Sequence, residues 1–134
     1  MCGINGMYRF RETVDPKWTK KMTDILRHRG PDDEGYLFVN TRTGILEERI
    51  GDATVEELKS RLPYINNVAP SYNLAFGHRR LSIIDLSYLG HQPMSYDNEK
   101  YWIIYNGEIF NYGELRDELN RSGFNFQTNS DTAV

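Results

Sequence analysis

The chain has 134 residues, within the usual size of one domain. With 39% hydrophobic residues, two Trp, nine Tyr and six Phe, it has the material for a core and is not a disordered segment. Sixteen basic against nineteen acidic residues leave a formal charge of -3, so there is no broad cationic footprint for nucleic acid or for an anionic membrane. No apolar run approaches the roughly 20 residues of a membrane helix, and the first residues lack the charged-then-apolar build of a signal peptide. A single cysteine excludes an internal disulfide, and the expected location is the cytoplasm.

The opening MCGINGMYRF puts that cysteine at position two, and Ile4 to Phe10 predicts a strand running out of the terminus. VDPKWTKKMTDILRHRG predicts a helix with Asp15 as N-cap, Pro16 at the first helical position, and Gly30 with Pro31 as the stop. Trp18, Met22, Ile25 and Leu26 fall at helical spacing and predict its apolar face, with RHRGP as its solvated end. An extended GYLFVN, a turn at Thr41 to Gly44 and ILEERI follow. Thr54 and Glu57 predict a capping box ahead of VEELKSRL. SYNLAFGHRRLSIID and KYWIIYNGEIFN read as strand-rich, Asn111 and Glu114 start a second helix stopped by Gly123, and FNFQT reads as a strand. NSDTAV predicts a helix cap and first turn. No internal repeat, low-complexity tract or linker divides the chain, and strands and helices mix without a βαβα rhythm. The expected class is a layered α+β domain covering residues 1–134.

Four stretches carry chemically useful residues. Removal of Met1 would leave Cys2 with its own α-amine beside its thiol. That amine, with a reference pKa of about 7.7–8.0, can act as the base for the sulfur nucleophile. Asn106-Gly107 between apolar runs is a hairpin signal, and it is equally a pair of N–H donors suited to an oxyanion. In GHRRLSIID the adjacent Arg79 and Arg80 point to opposite faces of a strand. They read as paired surface charges, or as one solvated arginine and one that grips a carboxylate. Asp131 opens the last helical turn, where it serves as a cap or as the acceptor of a substrate ammonium. His28, His78 and His91 form no metal-ligand spacing, and there is neither a GxGxxG nor a Walker pattern.

Taken together, MCGI, RHRGPDDEG, GHRRLSIIDLS with GHQPM, YNGEIFNYGELRDEL and FQTNSDT resemble the class II glutamine amidotransferase domain, most closely that of glutamine-hydrolysing asparagine synthetases. They occur in the family's order from end to end, with Thr41 to Ser71 longer than the usual connection. The resemblance implies an N-terminal-nucleophile hydrolase fold, a four-layer α/β/β/α sandwich, here incomplete at its C-terminal end. Cys2 would attack the side-chain amide of glutamine to give a thioester and ammonia. Asn106 and Gly107 match the oxyanion hole, Arg80 the grip on the α-carboxylate, Asp131 the acceptor of the α-amine, and Glu108 a further substrate contact. Family members join this domain to a synthetase domain that uses ATP and magnesium. No residue here matches that domain's nucleotide loop, so no cofactor or metal is implied within these residues. Sheet edges left uncovered would admit a homo-dimer. The chain departs from the family at Ala133, where a glutamate is usual. With Met1 present, this supports the alternative of a non-catalytic, glutaminase-like module that binds a partner or an amino acid.

Overall fold

In the computed structural model, which describes residues 1–69 and 71–134, the chain is built on a four-stranded antiparallel sheet. Its strands are β1 (Gly3–Tyr8), β2 (Asp33–Val39), β3 (Leu46–Ile50) and β4 (Leu74–Arg80), in the spatial order β1-β4-β2-β3. The two inner strands are the most buried, as the run DEGYLFV anticipates for a strand covered on both sides. Helix α1 (Pro16–Ile25) lies on one face against β1 and β4. The other face receives the segments that flank a second, two-stranded antiparallel sheet, β5 (Met94–Tyr96) and β6 (Tyr101–Ile103). Its contacts there are His91 and Gln92 near Gly35 and Tyr105 against His78. A helix on one face and these flanking segments on the other, with two antiparallel sheets, make a mixed α+β arrangement compatible with the sandwich expected. A one-turn α2 (Glu56–Lys59) and the longer α3 (Tyr112–Arg121) complete the α-helices among the described residues, beside four single 3₁₀ turns.

The helix punctuation of the sequence is largely realised. Asp15 caps α1 by accepting from the Lys17 N–H (2.9 Å), with Pro16 at the first position. The α3 terminus is a Schellman motif: Gly123, at φ +92°, donates to Asn120 O, and Phe124 N–H donates to Leu119 O. The turn between β2 and β3 closes through Asn40 N–H to Ile45 O and Gly44 N–H to Asn40 O.

Five expectations are corrected. The buried residues of α1 are Thr19 and Thr23, while Trp18 and Ile25 are 54% and 66% exposed. The sheet under α1 offers a small polar recess: Gly77 leaves room for Thr23, whose hydroxyl accepts from Asn5 Nδ2 (2.8 Å) and donates to Thr19 O (2.9 Å). The capping box at Thr54 does not form, because the Thr54 hydroxyl donates instead to Glu34 O (2.6 Å) and accepts from Gly51 N–H (2.9 Å). The hairpin turn lies at Asp97–Lys100, where Asp97, Asn98 and Glu99 take positive φ, and not at Asn106-Gly107. FNFQT is irregular, because none of the described strands pairs with it. Finally, Arg79 and Arg80 are not surface charges, at 1% and 6% exposure.

The core on the α1 face gathers Val14, Tyr36, Phe38, Ile65, Tyr72 and Ala75, with Met7 and Val68 against it. Burying each large member contributes about 1.5–3 kcal/mol. Beside that core runs an ionic cluster centred on the buried Arg79 and Glu34. Arg79 donates to Glu34 (2.8 Å) and Asp24 (3.1 Å), and through Nε to Thr23 O (3.2 Å). Tyr36 also donates its hydroxyl to Glu34 (3.1 Å). Burial, with the Glu34 carboxylate next in effect, raises the Tyr36 hydroxyl far above the usual tyrosine range, so it remains a donor throughout.

Candidate active site

Strand register alone brings the N-terminus, on the edge strand β1, beside the end of the inner strand β4. Gly3 pairs with Arg79, so Cys2 emerges beside the end of β4, where Arg80 and Leu81 follow. Leu81 N–H donates to Cys2 Sγ (3.3 Å), and Leu81 O lies 3.8 Å from the same sulfur as acceptor of the thiol hydrogen. Arg29 donates through Nε to Cys2 O (3.1 Å). RHRGP is therefore not only a solvated helix end: Arg27 and His28 are exposed, while Arg29 reaches back to hold the cysteine backbone.

From β4 the chain enters the segment 81–91, which wraps the guanidinium of Arg80. Nη1 donates to Ser87 O (2.7 Å) and Nη2 to Asp85 O. The arginine lies so close to Gly90 that a Cβ there would overlap the guanidinium and force it to shift. Two of the five guanidinium N–H donors are thereby used to fix its orientation.

The segment after β6 is pinned on both sides. Gln92 Oε1 accepts from Tyr105 N–H (2.6 Å), and Tyr105 O accepts from His78 Nε2 (3.2 Å). On the far side, Ile109 N–H donates to Asp131 Oδ2 (2.9 Å). Asn106, Gly107 and Glu108 lie between these anchors. Burial lowers His78 to about 4, against the opposing pull of its bond to Tyr105 O, so the ring is neutral and Nε2 carries the donated hydrogen.

The last segment is fixed by side chains reaching main chain. Arg116 of α3 donates to Thr128 O and Ser130 O (2.9 Å each), and Gln92 Nε2 donates to Thr132 Oγ1 (3.3 Å). Ser130, not Asp131, caps the final turn by accepting from Thr132 N–H (3.2 Å). Asp131 is thus free of capping, and its carboxylate turns to Ile109 N–H.

These segments enclose one cavity of about 360 Å³, lined by Cys2, Arg80, Asn106, Gly107, Glu108 and Asp131 together. Leu81, Ile84, Tyr105 and Phe110 supply its apolar wall. A sulfur, an arginine, a carboxylate and a main-chain bend of N–H groups around one such space can hold a zwitterion and attack a carbonyl within it. A more open concavity of about 840 Å³ lies on the far side of Thr132, bordered by Ala133, His91 and the β5–β6 sheet, and contains none of these six residues.

Two contributors carried no sequence signal of their own. Asp85 and Gln92 occur inside the quoted stretches, but nothing in their spacing marks side chains that bond across 43 and 40 residues. Among the described residues, no helix is long and apolar enough to cross a membrane.

Residues 42–134 match the family model described as "Glutamine amidotransferase domain". Over its whole length the chain is 39% identical to asparagine synthetase [glutamine-hydrolyzing] 1 of Bacillus subtilis, of which it covers 17%. It is 34% identical, again over its whole length, to putative asparagine synthetase [glutamine-hydrolyzing] 2 of Methanocaldococcus jannaschii, of which it covers 23%. Asparagine synthetase [glutamine-hydrolyzing] 2 of Bacillus subtilis is 30% identical over the same span, which is 14% of that protein. The chain therefore spans less than a quarter of the length of these relatives. On its family match the chain belongs to the glutamine amidotransferase domain family.

Proposed function

We propose that the domain is the glutaminase half of an asparagine-synthetase-like amidotransferase, and that it hydrolyses glutamine through a Cys2 thioester. The observation that carries this reading is the convergence of Cys2, Arg80, Asn106, Gly107, Glu108 and Asp131 on one cavity from four separate segments. With Met1 removed, Cys2 Sγ attacks the carboxamide carbon. Its thiol proton passes, through the new α-amine and a water, to the amide nitrogen, which leaves as ammonia. Asn106 and Gly107 donate to the oxyanion that develops as sulfur adds. Water then adds to the thioester, releasing glutamate and restoring the thiol. Arg80 binds the α-carboxylate, Asp131 the α-amine, and Glu108 supplies a further contact. Ammonia would pass to an acceptor activated by an ATP-dependent domain, and the proposed location is the cytoplasm.

The test is glutamate release from L-glutamine by the full chain lacking Met1, beside its Cys2→Ala variant. Turnover lost in Cys2→Ala with an unchanged melting curve is the expected result; turnover retained in that variant sinks the thioester route. Glutamine binding without glutamate formation, by the unsubstituted chain, would instead favour a non-catalytic module.

A further inference from the structure

The two residues assigned to the α-carboxylate and the α-amine of a bound glutamine stand on segments with no strand or helix in common. Arg80 closes β4, while Asp131 lies in the last turn of the chain. Something other than the sheet must set the spacing between them, and the structure offers Asp85. Its carboxylate is saturated by four donors. On its own segment it accepts from Ser87 N–H (2.8 Å) and Ser87 Oγ (2.6 Å). From the other side of the cavity it accepts from Thr128 Oγ1 (2.5 Å) and Asn129 N–H (2.9 Å). Meanwhile the carbonyls of Asp85 and Ser87 are the ones that hold the Arg80 guanidinium. One buried carboxylate thus joins the clamp around Arg80 to the two residues immediately ahead of Ser130 and Asp131. Burial pushes the Asp85 carboxyl up, but the bonds from Ser87, Thr128 and Asn129 overcome this and hold it well below the usual carboxylate range. It is therefore ionised throughout the working pH range, and its four acceptor bonds are charge-assisted.

Building on the glutaminase reading, we propose that Asp85 is a positioning residue that fixes the separation between the carboxylate-binding Arg80 and the amine-binding Asp131, and so makes the site selective for a free α-amino acid. Asp85 touches no substrate in this account. It acts through the carbonyls that orient Arg80 and through the 128–129 backbone. An asparagine at this position keeps the size but replaces an acceptor by an N–H₂ group that faces donors, which breaks the tie on one side. Thr128→Val removes only the hydroxyl bonds of the strap, those to Asp85 and from Ser130 N–H.

The experiment compares two substrates in the full chain lacking Met1: L-glutamine, and glutaramic acid, which is glutamine without its α-amine. The unsubstituted protein is expected to prefer glutamine strongly. In Asp85→Asn the KM for glutamine is expected to rise about tenfold with kcat changed by less than about threefold, and the preference for glutamine over glutaramic acid to shrink about tenfold. Thr128→Val is expected to shrink the preference about threefold, and it carries the test if Asp85→Asn does not fold. A general loss of structure would lower kcat/KM for both substrates by one factor, leaving the preference intact. An unchanged preference in every variant that folds, with the unsubstituted protein active and selective, overturns the inference alone. An unsubstituted protein that hydrolyses neither substrate overturns the glutaminase reading, and this inference with it.

Discussion

Residues 3–80 and residues 81–134 are stabilised by different means. The first part is a sheet whose strands are registered residue by residue, with a helix laid across it and the buried Arg79 paired with Glu34 within it. The second has one short two-stranded sheet and one helix; its remaining backbone is held by single side chains that reach across the sequence. Arg116, Gln92, Asp85 and Asp131 each anchor a segment whose main chain has little regular pairing of its own. A ladder distributes its strength over many bonds, so losing one is tolerated, whereas a segment held by a few side chains shifts when one of them goes. Substitutions in the first part should therefore register as lost stability. In the second they should register as altered substrate handling.

The largest expected effect belongs to the residue at the junction of the two. Cys2→Ala should lower glutamine turnover by about 10⁴-fold or more, as expected for loss of a nucleophile, while changing stability by less than about 1 kcal/mol. Steady-state glutamate release and urea denaturation separate the two readouts. Next, Arg79→Ala strands Glu34, which is 1% exposed, beside Tyr36. Removing one partner of a buried pair should cost about 3–5 kcal/mol, seen as a lower urea midpoint. If this variant kept its stability but lost glutamine affinity, the division between residues 3–80 as a platform and residues 81–134 as the wall of the site would be wrong.

His78 sharpens the comparison because it belongs to the platform yet bonds to the wall through Tyr105 O. Burial depresses its folded-state pKa to about 4, below the ordinary 6.5 of the unfolded chain. Between those values the unfolded chain binds more protons. The neutral ring's contribution is therefore fully present above pH 6.5 and is lost as pH falls toward 4, amounting to about 3 kcal/mol over that window. Stability measured from pH 7 to pH 4 should fall more steeply in the unsubstituted protein than in His78→Gln. Equal slopes would show that the ring titrates normally in the folded state. The smallest effect is expected at the helix cap: Asp15→Ala should cost about 1 kcal/mol by loss of the bond to Lys17 N–H, with no change in glutamine KM.

Much of the platform is legible in the sequence because it depends on local chemistry. Asp15-Pro16 can begin a helix, Gly123 can end one, and the turn at Thr41 to Gly44 separates two runs of strand-forming residues. The errors arise where a distant partner overrides a local preference. Thr54 is a good cap by sequence, but it is claimed by Glu34 O of the adjoining strand. Trp18 and Ile25 fit an apolar stripe, yet the sheet beneath α1 presents Gly77 and Asn5, which receive threonine and not a large ring. Arg79 and Arg80 look like solvated neighbours because Glu34 is distant in sequence and main-chain carbonyls such as those of Asp85 and Ser87 leave no mark in it.

The candidate site was legible in another way. Cys2, Asn106-Gly107, Arg80 and Asp131 stand out by residue type, and the ordered motifs imply a role for each only through the resemblance that they carry. Their supports were not marked, because Asp85 and Gln92 act across gaps that only the folded chain closes.

The central claim is that the cavity beside Cys2 is built to recognise the glutamine skeleton. Its most direct measurement is the intact mass of the full chain, with Met1 removed, before and after exposure to a glutamine-like diazoketone. Such a reagent alkylates the nucleophile when the pocket holds its amino-acid end. The account predicts one adduct, mapping to Cys2 and suppressed by excess L-glutamine. A chain with a free N-terminal Cys2 that takes no adduct, or takes one that glutamine does not suppress, would contradict it.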